Sequence, residues 1–479
     1  MAVLENLEPK SVFHFFEELC AIPHGSGNIQ AISDWLVKFG EDRGLEVHRD
    51  HMNNVILIKE ATPGYENGDP IILQGHMDMV CETAPDCAKD MTKEGLDLAI
   101  DGDIVYAKGT TLGGDDGIAV AMALAVLDSK EIKHPRVEAV ITVDEEIGLL
   151  GAADIDVTPL KSRKMINIDS EEEGIFTVSC AGGNDTHCTL PVTRAAYDGT
   201  VLTIQVGGLI GGHSGAEINK GRANGNILLG RVLYQVAKQA DLRVVTVSGG
   251  QKTNVITRES FATVVTADAE AVKAACAQAE ASLKVEYATT DADVFVAVTE
   301  GKVELAPMDA ASTQRVITML FCMPNGIEAM SADMPGLVQT SCNLGALSTG
   351  EDAVLGSTSV RSCIESQKDM LTDRIICLVE QLGGAVEVSG NYPGWAYAKE
   401  SPLRDLLCQV FTEQYGHEPK VEAIHAGLEC GMFAGKLPGL DCVSIGPDLQ
   451  EVHTCREKLY IASTQRVWKM LVAALERMR

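Results

Sequence analysis

Hydrophobic and polar positions alternate in blocks along the first third of the chain. Residues 29–40 carry apolar side chains at helical spacing, and short, continuously apolar runs follow at residues 55–59 and 71–74. Residues 117–128 repeat the helical pattern, and residues 137–143 repeat the apolar run. Continuous apolar runs are typical of strands that are covered on both faces, as in a mostly parallel sheet. Their alternation with helices predicts an α/β fold.

Polar side chains directly follow several of these apolar runs. They are His76 and Asp78 after residues 71–74, Glu145 and Glu146 after residues 137–143, and Asp169 after residues 165–168. Open α/β sheets bind their ligands at the carboxyl ends of strands. We therefore expect these side chains to lie together at one edge of the sheet.

The middle of the chain has a different pattern, with Thr- and Val-rich strands between isolated helices. It predicts an inserted α+β domain made of two ferredoxin-like β-α-β-β-α-β halves. This domain covers residues 186–392, with halves of about 186–290 and 291–392, and the second half opens on a strand at residues 294–303. Residues 1–185 and 393–479 are then the two parts of the α/β domain.

The composition excludes several classes of protein. The chain has 479 residues, more than one hydrophobic core usually organises, so we expect two domains. With 39 basic and 68 acidic residues the net charge is -29, which repels nucleic acid. The N-terminus has no secretion pattern, and the apolar run at residues 117–127 is shorter than the roughly 20 residues of a membrane helix. We expect a cytoplasmic protein whose 14 cysteines are free thiols.

The spacing of imidazole and carboxylate groups favours a site for two metal ions. A pair of zinc ions needs about five protein groups, one of them a carboxylate shared by both ions. His76 and Asp78 share a face of an extended chain, so Asp78 is placed to hydrogen-bond the rear of the His76 ring. A glycine-bounded Asp pair at residues 115–116 and a Glu pair at residues 145–146 follow. One carboxylate of the Glu pair is then free to act as a general base.

Each of these features has a simpler explanation when it is taken alone. The Asp pair precedes a predicted helix, where aspartate is common as an N-cap. The Glu pair is compatible with a solvated turn, and Asp169 with the start of an exposed acidic loop. His76 alone is more often an ordinary buried histidine than a ligand. The joint occurrence of these features, in this order and after apolar runs, favours the metal site.

Longer motifs around these residues point to a known family. They are Gly75-His-Met-Asp78, Gly113-Gly-Asp-Asp-Gly117, Asp144-Glu-Glu-Ile-Gly148, Asn167-Ile-Asp169 and Val452-His453. The chain, over nearly its whole length, resembles the co-catalytic zinc peptidases that include carboxypeptidase G, peptidase T and aminoacylase. Residues 73–80, 425–431 and 445–447 resemble the aminoacyl-histidine dipeptidase branch of that family. The lysine that follows the acidic pair in many relatives is missing, and we expect little effect on metal binding.

The resemblance implies two Zn²⁺ ions per chain, with Co²⁺ or Mn²⁺ able to substitute. The implied ligands are Asp115 on both ions, His76 and Asp169 on one ion, and Glu146 and His453 on the other. Glu145 is implied as the general base that deprotonates a metal-activated water, and Asp78 as the residue that orients His76. The segment around His213 resembles the lid histidine that stabilises the oxyanion in this family; a turn with a surface histidine is the alternative.

Both domains supply candidates for substrate binding. They are Asn254, Asn343 and Arg361 in the inserted domain, and His425 and Gly427 in the second part of the α/β domain. We hypothesise that the two halves are complementary: the first contributes His213, and the second uses Arg361 to hold the substrate's terminal carboxylate in a fork geometry. An ordinary surface charge is the alternative for Arg361.

The resemblance implies a dizinc dipeptidase that hydrolyses unblocked dipeptides, preferentially Xaa-His. A broader aminopeptidase or dipeptidase, or a deacylase of N-acyl amino acids, has the same core. A non-enzymatic binding or scaffold protein would be expected to lack a ligand or the base, whereas all of these positions are present. The expected partner is a small peptide rather than nucleic acid or a membrane, and the expected assembly is a monomer or a homodimer.

Overall fold

Helices and strands alternate over the first 180 residues of the computed structural model, which describes residues 2–302 and 305–479. The elements of this part are α1 (Lys10–Cys20), α2 (Gln30–Asp42), β1 (Glu46–Arg49), β2 (Val55–Lys59), β3 (Ile71–His76), β4 (Leu98–Asp101), β5 (Ile104–Ala107), α3 (Gly114–Asp128), β6 (Val137–Thr142), α4 (Leu150–Asp154), β7 (Lys164–Asn167) and β8 (Ile175–Cys180).

Strands dominate the middle of the chain. Its elements are β9 (Gly182–Pro191), β10 (Thr200–Gly207), β11 (Gly212–His213), a 3-10 turn (Ile218–Lys220), α5 (Gly225–Ala237), β12 (Leu242–Gln251), β13 (Val255–Ile256), β14 (Ser260–Thr266), α6 (Ala269–Glu286), β15 (Phe295–Glu300), α7 (Ala310–Cys322), β16 (Gly326–Met330), β17 (Val338–Thr349), β18 (Ala353–Ser362), α8 (Glu365–Gln381) and β19 (Ala385–Tyr392).

The C-terminal part returns to alternating helices and strands. Its elements are α9 (Pro402–Tyr415), β20 (Lys420–Ile424), α10 (Glu429–Lys436), β21 (Asp441–Ser444), β22 (Leu449–Gln450), β23 (Lys458–Tyr460) and α11 (Ile461–Leu475). The chain forms two compact units. The first comprises Met1–Cys180, Trp395–Ala423 and Leu428–Arg479, and the second comprises Ala181–Gly394 and Ile424–Gly427.

The first unit is built on a sheet with the strand order β1-β2-β6-β3-β7-β21-β8-β20. The central strands β6, β3, β7 and β21 are parallel, while β1, β2 and β8 pair antiparallel at the flanks. Beside this sheet, α3 is apolar on all sides and is buried throughout residues 117–127, as expected of a helix inside a core. The predicted α/β fold is confirmed.

The second unit contains a sheet with the order β15-β10-β14-β12-β17-β18-β9-β19, in which β16 also pairs with β17. The strands of this sheet, with the helices that connect them, form two β-α-β-β-α-β sets. One is β10-α5-β12-β14-α6-β15, and the other is β9-α7-β17-β18-α8-β19.

The assignment of strands to the two halves differs from the sequence expectation. The predicted strand at residues 294–303 is observed as β15, and it pairs with β10 as the last strand of the first set rather than opening the second. The second set instead takes β9, which precedes the first set in the chain and pairs with β18 and β19. Val303, the final residue of the predicted strand, lies outside the described residues.

None of the helices in the described residues is both long enough and apolar enough to span a bilayer.

Candidate metal centre

Three neighbouring parallel strands bring the predicted site residues of the first unit to one sheet edge. Strand β3 lies between β6 and β7, with His76 at its carboxyl end. The Glu pair at residues 145–146 follows β6, and Asp169 follows β7. Because the three strands are parallel, their carboxyl ends meet at the same edge, as the sequence predicted.

The carboxylate of Asp115 lies between two imidazoles. Its Oδ1 atom is 3.1 Å from Nε2 of His76, and its Oδ2 atom is 3.1 Å from Nε2 of His453. The Asp115 side chain is only 12% exposed, and the N-cap of α3 is Gly113, which makes no side-chain cap. Asp115 is therefore not a helix cap; each of its oxygens faces a different nitrogen ligand, the arrangement expected of a carboxylate shared by two ions.

The remaining predicted ligands complete the same cluster. Glu146 Oε1 lies 2.9 Å from Nε2 of His453, and Asp169 Oδ1 lies 3.7 Å from Nε2 of His76. Over residues 2–302 and 305–479, three groups of side chains have potential ligand atoms that lie within 4.8 Å of one another. These groups are Asp115 with Glu146 and His453, His76 with Asp116 and Asp169, and His76 with Glu145 and Glu146. The structure thus gathers all five predicted ligands, together with Glu145 and the unassigned Asp116.

Asp78 contacts His76 in a way that differs from the prediction. The backbone oxygen of Asp78, rather than its carboxylate, accepts at 2.9 Å from Nδ1 of His76; the carboxylate oxygen Oδ1 is 3.5 Å away. The buried carboxylate accepts instead from Ser26 Oγ at 2.8 Å and from the backbone N–H groups of Glu145 and Glu146 at 3.1 and 3.4 Å. Asp78 therefore fixes the Glu pair as well as the histidine, and this pair is not a freely solvated turn.

Carboxyl groups are concentrated in this cluster. The pKa of Glu145 is raised to about 9, by burial above all and also by the charges of Asp169, Glu429 and Glu146, against the opposing effect of His76. Burial likewise raises the pKa of Asp169 to about 6.

Basic side chains do not balance these carboxyl groups. Hydrogen bonds with Asp115 and Glu146 raise the pKa of His453 to about 10. Among the described residues, no lysine or arginine forms an ion pair with the five carboxylates of the cluster, which belong to Asp78, Asp115, Glu145, Glu146 and Asp169. Imidazoles beside several carboxylates without basic partners form a donor set that suits divalent cations.

Sequence reasoning missed several polar residues around the cluster. Asp116 accepts from the backbone N–H of His76 at 3.2 Å; its position in the Asp pair was its only sequence signal. The buried carboxylate of Glu429 accepts from Gln74 at 2.5 Å and from Thr142 at 2.7 Å. Glu457 accepts from four backbone N–H groups, and no pattern in the sequence marked it.

In the second unit, the ring orientation of His213 is fixed by its own loop. Its Nδ1 atom accepts from the backbone N–H groups of Gly215 at 3.1 Å and Ala216 at 3.0 Å. Burial, with the charge of Arg361, lowers the pKa of the His213 ring. The neutral ring therefore carries its proton on Nε2, which leaves that atom as a hydrogen-bond donor. The ring is partly buried and anchored, unlike a histidine on a free surface turn.

Arg361 faces a cavity of about 460 Å³ in the second unit, which Asn254 and Tyr392 also line. One of its nitrogens, Nη1, lies 3.2 Å from the hydroxyl of Tyr392, while its buried Nε has no hydrogen-bond partner among the described residues. Burial and the charge of Arg361 lower the pKa of His425 to about 4. Arg361 is therefore a partly buried cation that forms no ion pair within the part of the chain that the structure describes, rather than a plain surface charge.

The other predicted substrate-binding residues of this unit have local contacts. His425 Nε2 lies 2.7 Å from Ser341 Oγ, and a Cβ atom on Gly427 would lie 3.0 Å from the ring of Tyr392. Asn254 is exposed at the cavity.

Asn343 does not have the free polar groups expected of a substrate-binding residue. Its amide nitrogen donates to the backbone oxygens of Thr253 and Val255, both at 2.9 Å, and its side-chain oxygen accepts from Asn224 at 2.9 Å. The side chain is buried and uses both of its N–H groups on backbone. The structure thus corrects this assignment: Asn343 holds the segment that carries Asn254.

Comparison with known proteins gives a family and full-length relatives. The sequence model that describes Peptidase family M20/M25/M40 matches residues 72–477 of this chain. The cytosol non-specific dipeptidase of Escherichia coli (strain K12) is 36% identical over 482 residues, covering 99% of this chain and 99% of the relative. The crystal structure of aminoacylhistidine dipeptidase from Vibrio alginolyticus matches with a TM-score of 0.96 at 38% identity, covering 99% of this chain and 98% of that chain.

A more distant structure shares the fold. Aminopeptidase PepT from Bacillus cereus matches with a TM-score of 0.56 at 18% identity, covering 98% of each chain. The range matched by the family model includes every ligand candidate described above.

Proposed function

The chain belongs to peptidase family M20/M25/M40, and from that membership we propose that it is a metal-dependent dipeptidase that cleaves unblocked dipeptides, with Xaa-His peptides among them. Two relatives that match over the full length, one named as a non-specific dipeptidase and one as an aminoacylhistidine dipeptidase, support this substrate class. The shared carboxylate of Asp115, placed between His76 and His453, is the observation that carries the proposal.

The proposed cofactor is a pair of zinc ions, for which cobalt or manganese can substitute. His76, Asp115 and Asp169 would hold one ion. Asp115, Glu146 and His453 would hold the other. When bound, such a pair polarises a carbonyl oxygen and lowers the pKa of water.

Glu145 is the proposed general base. Its backbone is held by Asp78, and its carboxylate lies with His76 and Glu146 in one of the three ligand groups. A carboxylate in this place can take a proton from the attacking water and deliver it to the leaving amine.

The second unit is proposed to bind the substrate and stabilise its developing charge. The free N–H on Nε2 of His213 is assigned to the oxyanion, since that ring is neutral and anchored through Nδ1. Arg361 is assigned to the terminal carboxylate of the dipeptide. Asn254 lines the same cavity, His425 lies close enough to sense its charge, and Gly427 lies against Tyr392. A guanidinium with an unpartnered Nε–H is suited to paired hydrogen bonds with a carboxylate. Binding of a carboxylate by Arg361 favours peptides with a free C-terminus.

We also propose the cytosol as the compartment of this protein. The name of the Escherichia coli relative and the 14 free cysteines both support that location. The chain would act on small peptides as a monomer or a homodimer.

A substrate panel with and without a chelator tests the proposal. Initial rates are compared for Ala-His, β-alanyl-His, Ala-Ala and N-acetyl-alanine. We expect hydrolysis of the unblocked dipeptides, loss of that activity with the chelator and recovery on addition of zinc. Faster release from N-acetyl-alanine than from the dipeptides would favour the deacylase, and rates that do not respond to chelation would contradict a metal-dependent enzyme.

A further inference from the structure

One buried carboxylate binds four consecutive backbone N–H groups next to the metal centre. Glu457 is 3% exposed. Its Oε2 accepts from Leu112 at 2.8 Å and Gly113 at 3.1 Å, and its Oε1 accepts from Gly114 at 2.8 Å and Asp115 at 3.2 Å. Both oxygens of the side chain are thus used on the segment that enters α3.

The position of Glu457 links the two ends of the ligand set. The loop between β22 and β23 carries both His453 and Glu457, whereas Asp115 lies at the start of α3. Strand β23 pairs with β5, the strand that precedes the loop before α3. One side chain therefore ties together two segments that each carry a ligand of the proposed metal site.

The close approach of these segments depends on a glycine. A Cβ atom on Gly114 would lie 2.7 Å from Cδ2 of Leu449 and 3.2 Å from Oε1 of Glu457. Glu457 itself belongs to none of the three groups of potential metal ligands found in the described part of the chain. Its contacts with the site run through the backbone of Asp115 and its neighbours.

We propose that Glu457 is a positioning residue that fixes Asp115 relative to His453 and thereby sets the affinity for the ion held by Asp115, Glu146 and His453. This inference rests on the metal site of the proposed function. An ionised carboxylate only accepts hydrogen bonds, so it satisfies all four N–H groups. Glutamine places an NH₂ donor against two of these N–H donors, whichever way its amide is turned.

The test compares Glu457→Gln with Glu138→Gln as a matched control. Glu138 is also fully buried in the first unit, and it accepts from the backbone N–H groups of Lys161 at 3.0 Å and Ser162 at 3.1 Å. It lies near the start of β6, at the opposite end of that strand from the Glu pair. Its replacement disturbs a buried carboxylate, which also pairs with Arg136, at the end of β6 that is away from the ligand candidates.

Zinc bound per chain is measured by mass spectrometry across buffers of fixed free zinc, and unfolding of the metal-free chains is measured in urea with chelator. We expect the wild type to bind two zinc ions. In E457Q, the free zinc concentration at which one of the two ions is half bound should rise about 10- to 100-fold, the usual effect of losing a group that orients a ligand. E138Q is expected to lower the urea midpoint while both zinc midpoints stay at the wild-type values.

Wild-type zinc binding in E457Q would overturn the inference, as would an equal shift in E138Q. If the wild type itself binds no zinc, the proposed function fails, and the role of Glu457 fails with it. If E457Q is not recovered folded, E457D replaces it. Its carboxylate is one methylene shorter and reaches fewer N–H groups, so a smaller shift of the same midpoint is expected, and no shift overturns the inference.

Discussion

At the scale of single residues, Asp78 determines how the proposed base is presented. Its carboxylate accepts hydrogen bonds from the backbone N–H groups of Glu145 and Glu146, and its backbone oxygen accepts one from the ring of His76. His76, a proposed ligand, and the proposed base are therefore held by one residue. The side chain of Glu145 remains free of that restraint and able to exchange a proton.

Replacing Glu145 by glutamine separates proton transfer from metal binding. An amide of the same shape cannot accept the proton from water, so kcat is expected to fall by about 10²- to 10⁴-fold. Zinc content, measured on the same sample, is expected to stay at the wild-type value because Glu145 is not assigned as a ligand. A loss of zinc would make Glu145 a ligand instead, and an unchanged kcat would remove it from the mechanism.

Replacing His213 by asparagine tests the assigned donor atom. The asparagine side-chain oxygen takes the place of Nδ1 and still accepts from Gly215 and Ala216, but the N–H on Nε2 is lost. We expect an unchanged melting temperature and a kcat lowered by about 10²- to 10³-fold, as for other oxyanion donors. His187→Asn, at an exposed histidine of β9, is the control and should retain the wild-type kcat. Wild-type kcat in His213→Asn would exclude the donor role.

The sequence marked some residues of the site through their surroundings and others only through the family resemblance. Position after apolar runs singled out His76, the Glu pair and Asp169, and flanking glycines singled out the Asp pair, whereas His453 was implied only by the resemblance. Glu457 binds only backbone N–H groups, so its role depends on a loop conformation that no residue pattern specifies. Asn343 was misassigned for a related reason: the sequence does not reveal that its amide is already used on backbone.

At the scale of elements, the site depends on how closely β3 approaches α3. Gly75, next to His76 on β3, has no side chain, and a Cβ atom there would overlap Oδ2 of Asp116 and lie 2.7 Å from Cβ of Ala119. The absence of that atom allows Asp116 to accept from the backbone N–H of His76. Helix and strand thereby hold the imidazole and the Asp pair at hydrogen-bonding distance.

Gly75→Ala is expected to separate these two elements. Overpacking of this kind costs about 1–3 kcal/mol in the free energy of unfolding, measurable in urea, and zinc affinity should fall with it because His76 moves relative to Asp115. Gly356→Ala is the control, since its Cβ meets only Cδ1 of Leu344 at 3.5 Å; its effect on stability should stay within about 1 kcal/mol. Equal effects of the two changes would argue against this close approach.

Element types were predictable, whereas strand partners in the second unit were not. Apolar runs and helical spacing identify local structure, but β9 pairs with β18, more than 160 positions later in the chain. The swap of β9 and β15 between the two sets leaves the β-α-β-β-α-β order of each set intact. Local patterns therefore fit both arrangements, and only the long-range pairing distinguishes them.

At the scale of the whole molecule, the proposed metal site connects distant parts of the first unit. Asp115 and His453 lie 338 positions apart in sequence, yet one carboxylate oxygen and one ring nitrogen are 3.1 Å apart. Ions held there would stabilise the folded chain, because a preformed site is rare in an unfolded one. This arrangement also explains why the ligand set could be inferred only by considering nearly the whole sequence at once.

The number of zinc ions bound by Asp115→Asn tests the central claim most directly. It is measured per chain at a fixed free zinc concentration that saturates the wild type, beside Asp128→Asn, a control at the far end of α3. If Asp115 is shared by two ions, the wild type and the control bind two, and Asp115→Asn binds one at most. Two ions retained in Asp115→Asn, or none in the wild type, would contradict the account.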